Sequence, residues 1–272
     1  PRERDVLYIP FLHYMNIVNP SQGIITASSR FGALLLKKDG SVVGDLTTAR
    51  IMIEDGAYFK GSIEIDRTAS GNEPDLDKPA YIDLSGDTSP RIISYRALDS
   101  MADAVAKGLE SKGHQRGDRI AILSANRVEF IASYFGIMRA GCVAVPVNFK
   151  FPRTTIEHVL RDSGARMVIC DQMRRGNVPD HLPTIVFNSK AADGFDALLA
   201  TGPFEQIIPR DNEPAMFLYT SGSTGKPKGV VLSHQSHIWV ARTRAATRDW
   251  SDQRLLVAAP LYHMNALALV KF

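Results

Sequence analysis

The alternation of apolar runs and amphipathic segments between residues 80 and 272 limits the folds open to this chain most strongly. The runs RIAIL (119–123), CVAVPV (142–147) and RMVIC (166–170) have the length and the β-branched content of buried strands. Segments of helical periodicity separate them. Strands and helices that alternate in this way are typical of a parallel sheet covered by helices. We therefore predict an α/β fold for residues 80–272, a layered parallel sheet with flanking helices.

The predicted helices begin after residue types that accept hydrogen bonds from a first helical turn. A glycine follows each helix, as is common at helix C-termini. The candidate N-caps are Ser94 before a helix over residues 95–112, Asn126 with Glu129 three residues later, and Thr154 with Glu157 three residues later. We expect Asp83, Asp87 and Asp118, which lie in the intervening turns, to be solvated.

The stretch TSGSTGKPKG (220–229) lies between the apolar runs AMFLY and VVLSH. Glycines let backbone N–H groups approach an anion closely, while hydroxyls and lysines add donors and positive charge. The stretch therefore indicates a polyphosphate-binding loop followed by a strand, and a flexible Gly/Ser hairpin that binds nothing is the alternative. It is not a Walker P-loop, because Gly222 and Gly225 are only three residues apart and Pro227 follows Lys226.

Around this loop the sequence YTSGSTGKPKGVVLSH (219–234) resembles the phosphate-binding signature of AMP-forming adenylate-forming enzymes. Three further motifs resemble the same superfamily in the same order. They are ISYRALDSMADAVAKGL (93–109), GDRIAILSANRVEFIASYFGIMRAGCVAVPVN (117–148) and PLYHMNAL (260–267). The resemblance implies an acid–thiol ligase of the acyl-CoA synthetase type. Such an enzyme joins a carboxylate to ATP, which gives an acyl adenylate and pyrophosphate, and then transfers the acyl group to a thiol such as that of coenzyme A.

The resemblance also implies which residues bind the ligands. Residues of the loop would hold the β- and γ-phosphates of ATP, Mg²⁺ would arrive with the nucleotide, and Lys226 would be a solvated neighbour. PLYHMNAL favours a fatty or other small acyl substrate over an amino acid. The implied phosphate ligands are Thr220, Ser221, Gly222, Ser223, Thr224, Gly225 and Lys228, and the implied acyl-pocket residues are His263, Met264 and Asn265.

The superfamily carries further motifs downstream of PLYHMNAL: a glutamate that holds magnesium, an aspartate that holds the ribose, and a mobile C-terminal domain with a catalytic lysine. No match to them occurs in residues 1–272. We therefore expect no catalytic residue within these residues, which correspond to the N-terminal portion of such an enzyme and would be inactive alone.

The N-terminal part of the sequence has a different pattern. Residues 1–39 have no sustained period and stay unassigned, and the polar residues 67–79 are typical of a linker. Between them, residues 40–66 place short β-type triplets between glycines, which predicts rungs of a β-solenoid or, alternatively, two surface hairpins. GSVVGDL and ARIMIEDGAYFKGSIEI resemble rungs of bactofilins, so self-assembly as a polymer-forming scaffold is the alternative function.

Composition argues against several other classes of protein. The formal net charge of +3 is spread along the chain without a basic run, so we expect no nucleic-acid partner. No apolar segment is long enough to span a bilayer. The two cysteines, Cys142 and Cys170, lie in apolar runs and indicate buried reduced thiols in the cytoplasm. His234 and His237 have no third metal-ligand type nearby, so we predict no metal site.

Overall fold

The computed structural model divides the chain between Lys78 and Pro79 into two compact units. In the first unit it describes eight short strands within residues 15–65 and then residues 75–78. In the second it describes residues 79–84, 89–202, 204–210, 212–220, 226–245 and 254–270. Within these residues no helix has the length and apolarity that a membrane span requires.

The strands of the first unit pair side by side in the parallel direction. Leu34 lies opposite Ile51, Ser41 opposite Tyr58 and Leu46 opposite Ile63, an offset of 17 residues in each case. The pairing orders are β1-β3-β6, β2-β5-β8 and β4-β7. The strands are β1 (Met15–Ile17), β2 (Arg30–Phe31), β3 (Ala33–Leu36), β4 (Ser41–Val43), β5 (Leu46–Thr48), β6 (Ile51–Ile53), β7 (Tyr58–Lys60) and β8 (Ile63–Ile65).

The second unit alternates strands with helices as predicted. It begins with an antiparallel pair, β9 (Pro79–Asp83) and β10 (Arg91–Ser94). The remaining elements are α1 (Tyr95–Ser111), β11 (Arg119–Leu123), α2 (Val128–Arg139), β12 (Val143–Pro146), α3 (Arg153–Asp162), β13 (Ala165–Asp171), a 3-10 helix (Gln172–Asn177), β14 (Thr184–Phe187), α4 (Phe195–Leu198), β15 (Pro214–Thr220), β16 (Lys228–Ser233), α5 (His234–Ala245) and α6 (Met264–Leu269).

Six strands form one mixed sheet in the order β14-β13-β11-β12-β15-β16. All neighbours are parallel except β15 and β16, which form an antiparallel pair at one edge. Both faces of the sheet are covered. Ile120 and Ile122 of β11 belong to the core that α1, α2 and α4 share, whereas Ala121 and Leu123 belong to the core under α3. The predicted layered arrangement is therefore observed.

Two helix contacts leave no room for a side chain. A Cβ atom on Gly136 of α2 would lie 2.6 Å from the carbonyl oxygen of Ala102 and 2.6 Å from the Cβ atom of Val105, both on α1. A Cβ atom on Gly108 would lie 1.8 Å from the carbonyl oxygen of Leu198. These glycines let α1 pack backbone against backbone with its neighbours.

The helix starts were predicted with mixed success. Ser94 caps α1 as predicted, because its hydroxyl accepts from the backbone N–H of Ala97 at 3.2 Å. The predictions for Asn126 and Thr154 are wrong, since α2 follows Arg127 and α3 follows Pro152, and neither N-cap makes a side-chain bond.

The expectation that Asp83 and Asp118 are solvated is also wrong, since both are buried. Asp118 accepts a hydrogen bond from the backbone N–H of Gln115 at 3.0 Å, forms an ion pair with Arg166 and lies 3.6 Å from Nδ1 of His114. Asp83 forms an ion pair with Arg91. Asp87 lies outside the described residues.

Candidate phosphate and acyl site

The two strands that flank the glycine-rich loop form an antiparallel hairpin at the edge of the sheet. Thr220, the last residue of β15, lies opposite Lys228, the first residue of β16. Both are exposed. Because β15 is parallel to β12, the loop leaves the sheet at the edge where the carboxyl ends of the parallel strands meet. In open α/β sheets this edge is the one that binds ligands.

Most of the predicted phosphate ligands lie inside the loop itself. Ser221, Gly222, Ser223, Thr224 and Gly225 are outside the described residues, so the structure locates the loop by its two ends. After the loop Lys226 is exposed and Pro227 is buried. The prediction that a strand rather than a helix follows is confirmed by β16.

The predicted acyl-pocket residues lie together at the start of α6. His263 is the residue that precedes α6, and its exposed ring lies 4.5 Å from the ring of the buried Tyr262, measured between centroids. Met264 is half-buried and Asn265 is exposed. The exposed side chains of His263 and Asn265 lie next to a turn in which Leu261 and Tyr262 are buried.

Asn126 holds this turn against the sheet, which the sequence did not reveal. Its side-chain oxygen accepts from the backbone N–H of Leu261 at 2.7 Å, and its side-chain nitrogen donates to the carbonyl oxygen of Ala259 at 2.9 Å. The residue follows the carboxyl end of β11, so the two hydrogen bonds join that strand end to a segment 133 to 135 residues later. This use of the side chain explains why Asn126 does not cap α2.

Aromatic, cation–π and hydrogen-bond contacts join the ends of β11, β12 and β13 to the same turn. The ring of Tyr262 packs edge-on against Phe149 at 5.1 Å between centroids. The guanidinium of Arg174 lies over Phe149, 4.2 Å from its centroid. Asp171, at the end of β13, accepts hydrogen bonds from Arg174 at 2.8 Å and from the backbone N–H of Ala125 at 3.0 Å. The strand ends of β11, β12 and β13 are therefore tied to the turn before His263.

An ionic cluster stabilises the start of α2 next to this edge. The carboxylate of Glu129 accepts hydrogen bonds from Arg91 at 2.5 Å and from Arg127 at 2.7 Å. Burial alone would raise the pKa of Glu129, but the two guanidinium groups outweigh it and hold that pKa below its ordinary value. Glu129 therefore stays a carboxylate and acts as a structural anchor. It also lines a cavity of about 260 Å³ together with residues that follow β14.

The histidines that follow β16 stand apart from this chemistry. The ring of His237 approaches the hydroxyl of Tyr134, with 3.4 Å between Nε2 and the oxygen. Burial lowers the pKa of His234 below its ordinary value. No group of three metal-ligand residues occurs in the part of the chain that the structure describes.

The arrangement places a cation and a hydroxyl at the mouth of a hairpin loop, on the sheet edge that also carries the anchored turn before α6. Exposed donors and positive charge in this setting suit an anion such as a polyphosphate. The thiols lie elsewhere. Cys142 and Cys170 are buried, and burial raises the pKa of each to about 12, so neither is a nucleophile.

Several known proteins are similar to this chain over most of its length. The family model of AMP-binding enzymes matches residues 67–271. A feruloyl-CoA synthase from Amycolatopsis is 34% identical over 189 residues, which are 65% of this chain and 36% of that protein. A long-chain-fatty-acid–CoA ligase from Mycobacterium tuberculosis is 32% identical over 204 residues, 71% of this chain and 39% of that protein.

A solved structure, ATP-bound MatB from Rhodopseudomonas palustris, superposes with a TM-score of 0.62 at 28% identity and covers 72% of this chain and 40% of that one. The chain therefore spans between a third and two fifths of the length of these relatives. The matched residues include the complete six-stranded sheet and both parts of the site. The chain belongs to the family of AMP-binding enzymes.

Proposed function

We propose that this chain provides the phosphate-binding part of an ATP-dependent acyl ligase of the acid–thiol type. In the first step a carboxylate attacks the α-phosphate of ATP, which gives an acyl adenylate and pyrophosphate. In the second step a thiol, such as that of coenzyme A, takes the acyl group and releases AMP. The relatives named as CoA synthases and ligases support both the reaction type and the acceptor.

One observation carries the proposal: Thr220 and Lys228 lie opposite each other at the mouth of the loop, on the carboxyl edge of the sheet. A primary amine and a hydroxyl held this close can bind adjacent oxygens of a polyphosphate. We assign Ser221, Gly222, Ser223, Thr224 and Gly225 to the same role, in which backbone N–H groups and hydroxyls hold the β- and γ-phosphates.

The residues of this chain would bind and orient the nucleotide and stabilise the charge of the departing pyrophosphate. Mg²⁺ would arrive with ATP and neutralise part of the phosphate charge. The exposed Lys228 and Thr220 fit a polyphosphate because one supplies positive charge and both can donate hydrogen bonds.

We assign the acyl end of the site to His263, Met264 and Asn265. The hydrogen bonds of Asn126 and the ring of Phe149 hold the turn before α6 at the same sheet edge as the loop. The printed names of the relatives, a feruloyl-CoA synthase and a long-chain-fatty-acid–CoA ligase, support an aromatic or fatty carboxylic acid as the substrate class.

Calorimetric titration of the full chain with Mg-ATP tests the proposal. Lys228→Ala should weaken binding about 10- to 100-fold, because a hydrogen bond to a charged group contributes roughly 1.5 to 3 kcal/mol. Lys226→Ala is the matched control, since Lys226 is also an exposed lysine of the same segment, and it should leave the affinity unchanged. Equal losses in both variants, or no binding by the unsubstituted chain, would contradict the proposal.

A second candidate function concerns residues 15–65. The offset between paired parallel strands is 18 residues for β1 and β3 and 17 residues for the other pairs. This near-regular spacing supports a β-solenoid, in which each strand stacks on the one a turn earlier. We propose this architecture for the predicted segment 40–66, with residues 67–79 as a linker. Self-assembly in the manner of bactofilins stays a prediction. Filaments in electron micrographs that disappear when residues 40–66 are deleted would support it, and their absence in the full chain would contradict it.

A further inference from the structure

Tyr219 connects the phosphate-loop hairpin to a helix on the face of the sheet. It is the residue of β15 immediately before Thr220. Its hydroxyl donates a hydrogen bond of 2.7 Å to a carboxylate oxygen of Asp162, the last residue of α3. The hydrogen bond joins residues 57 positions apart in the sequence. The start of the loop is thereby tied to α3 as well as to the neighbouring strands.

The ring of Tyr219 also packs closely against the residue that follows Lys228. Gly229 lies opposite Tyr219 in the hairpin. A Cβ atom on Gly229 would lie 3.0 Å from the Cζ atom of Tyr219 and 3.2 Å from its hydroxyl oxygen. The backbone of Gly229 is not in the left-handed region, so the close approach of the ring, rather than a turn, is what a larger residue would meet here. Tyr219 therefore precedes Thr220 in β15, and its ring lies against Gly229, which follows Lys228 in β16.

The hydroxyl of Tyr219 and the carboxylate of Asp162 are suited to a strong hydrogen bond. Burial and the neighbouring carboxylate of Asp162 raise the pKa of Tyr219 above its ordinary value, so the phenol keeps its proton and donates. The acceptor is a carboxylate, and hydrogen bonds to charged groups are stronger than those between neutral groups.

We propose that Tyr219, held by Asp162, is a positioning residue for polyphosphate binding: it fixes the two strand ends that present Thr220 and Lys228. This inference rests on the proposed function, because it assigns the purpose of the contact to the nucleotide. If the role of the contact were purely structural, its removal would lower the stability of the fold without changing the affinity for polyphosphate.

The first test measures Mg-ATP affinity in the full chain. Tyr219→Phe keeps the ring and removes the hydroxyl, and we expect it to weaken binding by about tenfold. Asp162→Ala should cause the same loss, and the double variant should lose no more than either single one, because both remove one contact. Asp162→Asn keeps an acceptor oxygen and should restore most of the affinity.

A matched destabilised variant separates positioning from stability. Ile131→Val shortens a fully buried side chain of α2, outside the hairpin, and lowers the stability of the fold. It should leave the affinity for Mg-ATP unchanged. If it weakens binding as much as Tyr219→Phe does, the contact is structural and the inference is wrong.

The second test needs no nucleotide. Trypsin cleaves after Lys228 but not after Lys226, because Pro227 follows it, so cleavage after Lys228 reports how firmly the hairpin is held. Tyr219→Phe should speed this cleavage about tenfold while cleavage after Arg139 in α2 keeps its rate. If the unsubstituted chain does not bind Mg-ATP but this change in cleavage is seen, the proposed function fails and the inferred contact stands as a hairpin anchor without a nucleotide. Unchanged cleavage would overturn the inference in either case.

Discussion

Replacing Asn126 with alanine should release the turn that carries the acyl-pocket residues. The substitution removes two hydrogen bonds, from Leu261 N–H and to Ala259 C=O. Leu261 is fully buried, so its N–H would lose its partner at a cost of about 1 to 3 kcal/mol. Ala259 is exposed and water can replace the lost donor there, which limits that cost to about 0.5 kcal/mol. We therefore expect a loss of about 1.5 to 3.5 kcal/mol in all.

Urea denaturation and hydrogen exchange together measure this loss. The free energy of unfolding should fall by about 2 kcal/mol, and the amide of Leu261 should exchange at least about 30-fold faster. Asn126→Asp keeps an oxygen that accepts from Leu261 and loses only the donor to Ala259, so it should lose less than Asn126→Ala does. Asn148→Ala is the control, because the bond it removes is a local one to the backbone N–H of Lys150.

The reasoning would be refuted if Asn126→Ala left both the exchange of Leu261 and the free energy of unfolding unchanged. It would also be refuted if Asn148→Ala had an equal effect. In contrast, the affinity for Mg-ATP should change little in Asn126→Ala, because the substitution releases the turn before α6 and leaves the β15–β16 hairpin intact.

Three further predictions follow from other parts of the second unit. Gly136→Ala should destabilise the protein by about 2 kcal/mol, since its Cβ would overlap Val105, and an unchanged melting temperature would contradict the packing described. Cys142 and Cys170, whose pKa values burial raises to about 12, should resist alkylation at pH 8 until the protein unfolds, and rapid labelling of the native protein would show that they are accessible. Burial lowers the pKa of His234 below 6.5, so the unfolded state binds the proton more readily and stability should fall as the pH drops below 6.5; His234→Gln should reduce that fall in denaturation curves at pH 7 and pH 5.

Local patterns in the sequence were enough to predict the layered sheet. Ser94 caps its own helix, and the apolar runs of β11, β12 and β13 are strands because burial on both faces selects such runs. Asn126, whose role as a cap was predicted wrongly, makes contacts that are distant in sequence. Asn126 has a suitable side chain for a local cap but binds a segment more than 130 residues later, and nothing in the local pattern distinguishes the two uses.

The same limit applies to charge and to the first unit. Asp118 is buried because Arg166, on a different strand, reaches it, and composition alone does not reveal such a partner. In the first unit the predicted β-type segments 42–43, 51–53 and 63–65 lie in strands, whereas β1, β2 and β3 lie in residues left unassigned. Those three strands are two to four residues long, too short for their own periodicity to reveal them.

The pairing of Thr220 with Lys228 has a consequence for the entropy of nucleotide binding. Both residues belong to paired strands, in which backbone pairing fixes the φ and ψ angles. Ordering a backbone residue costs on the order of 1 to 2 kcal/mol, and folding has already met this cost at both positions. Under the proposed function, contacts from these two residues to phosphate would therefore carry little additional backbone entropy cost. At Lys228 only side-chain rotamer freedom would be lost on binding.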